Sequence, residues 1–215
     1  QSDADIANIN MASPLWALVM AFEHERIHLE TSSVLIRELP VNLVRKPAEW
    51  PSIYRAENAP ATHTTSGVAE TFLSVAASDV TLGKPKEFPS FGWDNEYGSR
   101  SYHVREFEAS NTLATNAQFL QFVNDGGYSE VKYWTEAGWG WRSFRNAKWP
   151  AFWTPSGPQG LGDYKIRTTF EVIDMQPEWP AEVNYHEAKA YCAWRTAKDA
   201  DNDDAADDGS SHQQY

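Results

Sequence analysis

The sequence predicts an α+β protein, in which a long N-terminal helix precedes an irregular domain of short strands and two capped helices. Three observations carry this prediction. Apolar residues Leu15, Leu18, Val19 and Phe22 recur at three- and four-residue spacing, and Ile27, Val34 and Leu35 extend the same surface. Residues 79–83 and 103–109 alternate as short strands do. Eight of the ten tryptophans fall between Trp93 and Trp194, amid glycine and proline.

The helix has clear ends. Ser13-Pro14 places a capping residue before a proline at the first helical position, where no amide hydrogen is missed. Pro40 closes it, because the residue before proline avoids helical dihedrals. Residues 14–38 make about seven turns, a length typical of a bundle. Within it lies Phe22-Glu23-His24-Glu25-Arg26-Ile27-His28-Leu29-Glu30. Positions i and i+4 share a helix face, so His24 and His28 can reach one point, as two ligands of a transition metal must.

The remaining elements follow in order. Residues 1–39 are read as the end of a helical bundle and 40–71 as a linker, with prolines at 40, 47, 51 and 60. Residues 72–198 form the second domain, opening with the strand at 79–83 and an aromatic turn-rich loop at 89–96. Thr115 caps a short amphipathic helix that ends at Asn124, and Gly126-Gly127 provide a left-handed exit. From Tyr133 to Trp153 the text is too glycine-rich and aromatic for regular structure. A second helix runs from Tyr185 to about Ala197, with Asn184 as cap and Glu187 completing a capping box. Residues 199–215 read as an acidic disordered tail.

Composition sets the outer bounds. A net charge of −12 argues against nucleic acid as a partner, because phosphates need a basic surface. Asp199, Asp201, Asp203, Asp204, Asp207 and Asp208 account for half of that charge. No apolar run is long enough to span a membrane, and no basic-then-apolar start marks a secretory signal. A single cysteine, Cys192, excludes an intramolecular disulfide framework and fits a reducing, cytoplasmic setting.

The central motif has several readings. His24-Glu25-Arg26-Ile27-His28 satisfies the HExxH pattern of zinc peptidases, in which Glu25 would activate water. The metzincin continuation is missing, since Thr31 and Val34 stand at its glycine and histidine positions. A third reading has both histidines hydrogen-bonded inside a bundle. Glu30 lies about 200° around the axis from His28, away from any shared ion, and is better placed for a salt bridge with Arg26. His63, His103, His186 and His212 read as surface or hydrogen-bonding residues. Cys192 reads as a small core residue with poor nucleophilic prospects. The aromatic stretches are mostly core, with one or two rings available as a pocket wall in a ligand-binding module.

The chain also resembles a known family. The run His24-Glu25-Arg26-Ile27-His28-Leu29-Glu30-Thr31-Ser32-Ser33 is similar to the H-x-x-x-H-x-E iron-binding helix of the sulfoxide synthases of thiol-histidine biosynthesis. Its wording is closest to the ovothiol branch, the 5-histidylcysteine sulfoxide synthases; ergothioneine-type relatives typically carry glutamine where Ile27 stands. Val80-Thr81-Leu82-Gly83, Phe91-Gly92-Trp93-Asp94-Asn95-Glu96, Gly126-Gly127-Tyr128, Gly138-Trp139 and residues 187–194 are similar to the formylglycine-generating-enzyme-like domain of the same proteins.

This resemblance implies the end of a DinB-like bundle, then the first half of an irregular, C-type-lectin-like domain. It implies a non-haem Fe(II) held by three histidines, with His24 and His28 as two of them. The third would come from an earlier bundle helix, and the family's catalytic tyrosine from beyond residue 215, so no catalytic residue is assigned here. The implied substrates are cysteine, histidine and O₂, and the implied partner is the remainder of the same polypeptide. The acidic tail departs from the family pattern. Copper chemistry of the formylglycine type needs a cysteine pair, and only Cys192 exists.

Overall fold

The computed structural model describes residue 9 and residues 12–50, 70–88, 90–157 and 163–208, with 202–208 as helix backbone alone. The chain divides into two compact units, Gln1–Leu39 with Val68–Thr112 and Pro40–Gly67 with Leu113–Tyr215. No helix among the described residues is long and apolar enough to cross a membrane.

The first unit holds helix α1, Trp16–Glu38. The helix starts two residues later than Ser13-Pro14 indicates: Leu15 stands at the N-cap position without a side-chain hydrogen bond. Ser13 instead closes the turn before it, accepting from the Trp16 amide on its carbonyl at 3.0 Å and from the Leu15 amide on Oγ at 3.3 Å. Leu39 is extended, as a residue before proline should be. The apolar periodicity builds the helix, yet none of its residues is buried; Leu18, Phe22, Ile27, Val34 and Leu35 are 40–69% exposed. Arg26 pairs with Glu23 at 2.6 Å, one turn back, instead of with Glu30 ahead as expected. Both partners face solvent, so the pair contributes a few tenths of a kcal/mol.

Strands β1 (Phe72–Val75), β2 (Ser78–Leu82), β3 (Arg100–Val104) and β4 (Phe107–Ser110) make two antiparallel pairs, β1 with β4 and β2 with β3. Val75 faces Phe107 and Ser78 faces Val104, so the pairs are two halves of one bent ribbon. The single strand expected over 103–109 is therefore two strands. Arg105 and Glu106 leave the ladder at the bend, where a twisted two-stranded ribbon changes direction. Gly83 (φ +109°) and Gly98 (φ +127°) open the ribbon into the 84–97 loop, and a Cβ on Gly83 would sit 2.2 Å from the Gly98 carbonyl oxygen.

In the second unit, helix α2 spans Asn116–Asn124. Its capping box forms as the sequence indicates: the Gln118 amide donates to Thr115 Oγ1 at 3.3 Å and the Thr115 amide to Gln118 Oε1 at 2.8 Å. Gly126 then takes φ +78°. A helix not expected from the sequence, α3, spans Glu136–Arg145. Thr135 caps it through the Gly138 amide, and Asn146 ends it in the left-handed region. Gly138 and Gly140 disguise this helix; Gly138 lies where α3 passes the next helix, and a Cβ there would stand 3.4 Å from the His186 Cβ, in ordinary contact.

Strands β5 (Trp153–Pro155), β6 (Tyr164–Arg167) and β7 (Val172–Asp174) form an antiparallel sheet in that order. Trp153, Ile166 and Ile173 stand opposite one another and are all buried. Helix α4 runs Tyr185–Asp208, ten residues into the stretch expected as a disordered tail. It packs on α2, α3 and the turn at Val131–Tyr133. The core is Phe119, Phe122, Tyr128, Trp134, Trp153, Ala190 and Trp194. Ala190 and Trp194 mark the inner face of α4, and Cys192, about 200° from Ala190, is exposed instead of lying in the core.

Thr115→Ala should lower stability by about 0.5–2 kcal/mol, as the loss of an N-cap does. Gly127→Ala should cost more, because its Cβ would fall 2.0 Å from the buried Phe122 ring. Urea denaturation of both variants measures the order; an Ala at 127 that leaves the midpoint unmoved contradicts this packing.

Candidate metal centre

The candidate centre is built on one ridge of α1. Trp16, Met20, His24 and His28 follow at four-residue spacing, each step turning about 40° around the axis. The rings of His24 and His28 meet edge to face, centroids 4.4 Å apart and planes at 86°. Both residues are exposed. Two adjacent imidazoles on an open face fit two neighbouring positions around a transition metal. Among the described residues, no group of three or more His, Cys, Asp or Glu side chains is placed to hold an ion.

The other candidates fall elsewhere. His103 bonds Asp79 across β2 and β3 at 2.9 Å, in solvent. His186 stacks on Trp141, centroids 6.0 Å apart, with Nδ1 buried and without a hydrogen-bond partner among the described residues. His63 and His212 lie outside the described residues. Trp134 and Trp153 are core, as the plainer reading of the aromatic text expected, and Trp139, Trp141 and Trp149 pack partly buried against them.

Sequence reasoning missed two clusters. In the second unit, the Tyr128 hydroxyl donates to Glu187 Oε1 at 2.5 Å, and both residues are buried. Glu187 Oε2 accepts the Asn184 amide at 2.9 Å, completing the predicted capping box. Burial pushes the Glu187 carboxyl above its ordinary range, against the Asn184 amide, the Tyr128 hydroxyl and the charge of His186, which favour the ionised form. Burial and then the Glu187 charge push the Tyr128 hydroxyl up as well. The capping pattern signalled Glu187; nothing in the sequence connects it to a tyrosine 59 positions earlier. In the first unit, Lys84 ties together the 84–97 loop, and a lone lysine after a glycine gives no signal.

A carboxyl that holds its proton more tightly folded than unfolded stabilises the fold at acid pH. That contribution is lost as pH rises from the ordinary value of 4.5 through the raised one. Glu187→Gln should therefore flatten the stability profile above that pH, as read by thermal melts across a buffer series. Tyr128→Phe should cost about 1–3 kcal/mol by leaving a buried acceptor short of a donor. A profile unchanged by Glu187→Gln contradicts this assignment.

A sequence model of the sulfatase-modifying factor enzyme 1-like domain matches residues 57–215. The chain is 34% identical over 134 residues to a hercynine oxygenase of Mycolicibacterium thermoresistibile, covering 61% of this chain and 28% of the relative. It is 29% identical over 192 residues to a hercynine oxygenase of Mycolicibacterium smegmatis, covering 86% and 40% respectively. It is 25% identical over 126 residues to ergothioneine biosynthesis protein 1 of Neurospora crassa, covering 55% and 14%. The chain thus spans between 14% and 40% of the length of these curated relatives. Homologous to hercynine oxygenases and matched over 57–215, the chain belongs to the sulfatase-modifying factor enzyme 1-like domain family.

Proposed function

We propose that the polypeptide carrying this chain is an Fe(II)- and O₂-dependent sulfoxide synthase of the ovothiol type, joining the sulfur of cysteine to the imidazole ring of histidine. The observation that carries this reading is the pair of exposed imidazoles on one ridge of α1, in a chain homologous to hercynine oxygenases. In the same reading, residues 1–39 are the end of a DinB-like bundle and 72–198 part of the formylglycine-generating-enzyme-like domain.

His24 and His28 would hold the iron through one ring nitrogen each, the ion supplying activation of O₂ when bound. Two protein nitrogens on one side leave the remaining positions for a third ligand and for substrates, unlike a closed structural zinc site. The reaction balances as thiol plus imidazole C–H plus O₂ giving sulfoxide plus water. A C–S bond replaces the S–H and C–H bonds, one oxygen atom ends on sulfur, and the other leaves with the two hydrogens. The Arg26–Glu23 pair lies on the helix beside the histidines and takes no part in this scheme.

Ile27 supports histidine as the imidazole substrate, because ergothioneine-type sequences typically have glutamine there. The relatives named hercynine oxygenases supply the competing substrate. Full-length polypeptide loaded with Fe(II) in air should convert cysteine and histidine to their C–S-linked sulfoxide, read by mass spectrometry, with gamma-glutamylcysteine tested as the other thiol. Product from hercynine alone overturns the ovothiol type, and no sulfoxide from either imidazole overturns the synthase. His24→Ala and His28→Ala should each weaken iron retention by at least the roughly 10–100-fold that loss of an outer partner costs. Iron content unchanged in both variants places the metal elsewhere.

A further inference from the structure

The ridge that carries the histidine pair begins at Trp16, whose ring meets the 84–97 loop. Its ring lies 4.6 Å from the Phe91 ring and 6.4 Å from the Tyr97 ring, and Phe91 in turn meets Trp93 edge to face at 5.2 Å. Trp16, Phe91, Trp93 and Tyr97 are all partly buried, in a unit whose helix and ribbon are otherwise largely exposed. These rings come from a loop with almost no regular structure, so something must hold their spacing.

The Trp93–Glu96 capping box holds one turn of this loop, and one side chain, Lys84, reaches several parts of it at once. Lys84 Nζ donates to Ser90 Oγ at 2.7 Å and to the Phe91 carbonyl at 2.5 Å. The same nitrogen lies 5.4 Å from the Phe88 ring centroid and 5.9 Å from that of Tyr97. Its backbone is tied too, bridging to Tyr97 and accepting the Gly98 amide at 3.2 Å. Gly92 is buried directly beside it, and a Cβ there would stand 3.1 Å from Nζ and 3.2 Å from the Tyr97 ring. A cation with two oxygen acceptors and two aromatic faces fixes both ends of the loop at once.

We propose that Lys84 is a positioning residue for the metal helix: by shaping the loop that grips Trp16, it sets the rotation and tilt of α1 relative to the ribbon, and so the direction in which His24 and His28 face. The role of the pair rests on the reading above, but the orientation of α1 does not, and it is measured without any metal.

The test places nitroxide labels at Glu25→Cys on α1 and Arg105→Cys at the ribbon bend, with Cys192→Ser removing the native thiol. Pulsed dipolar EPR then reads the distance distribution between them. The parent should give one narrow distribution. Lys84→Met should broaden it at least twofold while circular dichroism shows helix content unchanged, and Trp16→Leu should do the same. Ser90→Ala, which removes one acceptor and leaves the lysine, should broaden it less, and it carries the test alone if Lys84→Met fails to fold. A distribution as narrow in Lys84→Met as in the parent, or in Ser90→Ala where that variant stands alone, overturns the proposal. Iron retention unchanged by His24→Ala overturns the metal reading and leaves the distances standing.

Discussion

Under the proposed reading, His24 and His28 share an ion through the helical backbone that sets them one turn apart, and the first unit's structure bears on that geometry first. The helix is long enough to keep residues 24–28 away from both fraying ends, with eight residues of α1 before His24 and ten after His28. Intrinsic propensity carries most of it, since none of its residues is buried and Leu15 at the N-cap position makes no side-chain hydrogen bond. A helix with so little tertiary cover depends on its end contacts for direction, which gives the Trp16 stack its weight.

The second unit solves a different problem. Its strands are three or four residues long, too short to stabilise a sheet by themselves. Rings fill the gap. Phe119 and Phe122 meet Trp153, Tyr128, Tyr191 and Trp194 mostly edge to face or tilted, the arrangements that ring quadrupoles favour. The polar edges of that core are satisfied within it: Trp134 Nε1 donates to the Gly127 carbonyl at 2.8 Å, and Trp194 Nε1 to Asp125 at 3.2 Å. Glu187 joins two of these tasks, capping α4 from inside while accepting the Tyr128 hydroxyl.

Local signals in the sequence translated well into structure, because their physics is local. Thr115 with Gln118 and Asn184 with Glu187 each specify a cap within three residues, and both caps form. The spacing of His24 and His28 likewise needs nothing beyond one helical turn. Signals that depend on distant partners were not legible. Tyr128 and Lys84 carry no mark of what they hold. The α3 helix was hidden by Gly138 and Gly140, although Thr135 and Asn146 bracketed it with ordinary start and stop residues. Cys192 was misplaced because a helix reads as amphipathic at several phases until its buried row, here Ala190 and Trp194, is known.

Whether His24 and His28 grip one ion is tested most directly by iron K-edge X-ray absorption on the Fe(II)-loaded full-length polypeptide. The account predicts outer-shell scattering from coordinated imidazole that drops by one ring in His24→Ala and by a second in the double variant with His28→Ala. A spectrum identical in the parent and the double variant would contradict it.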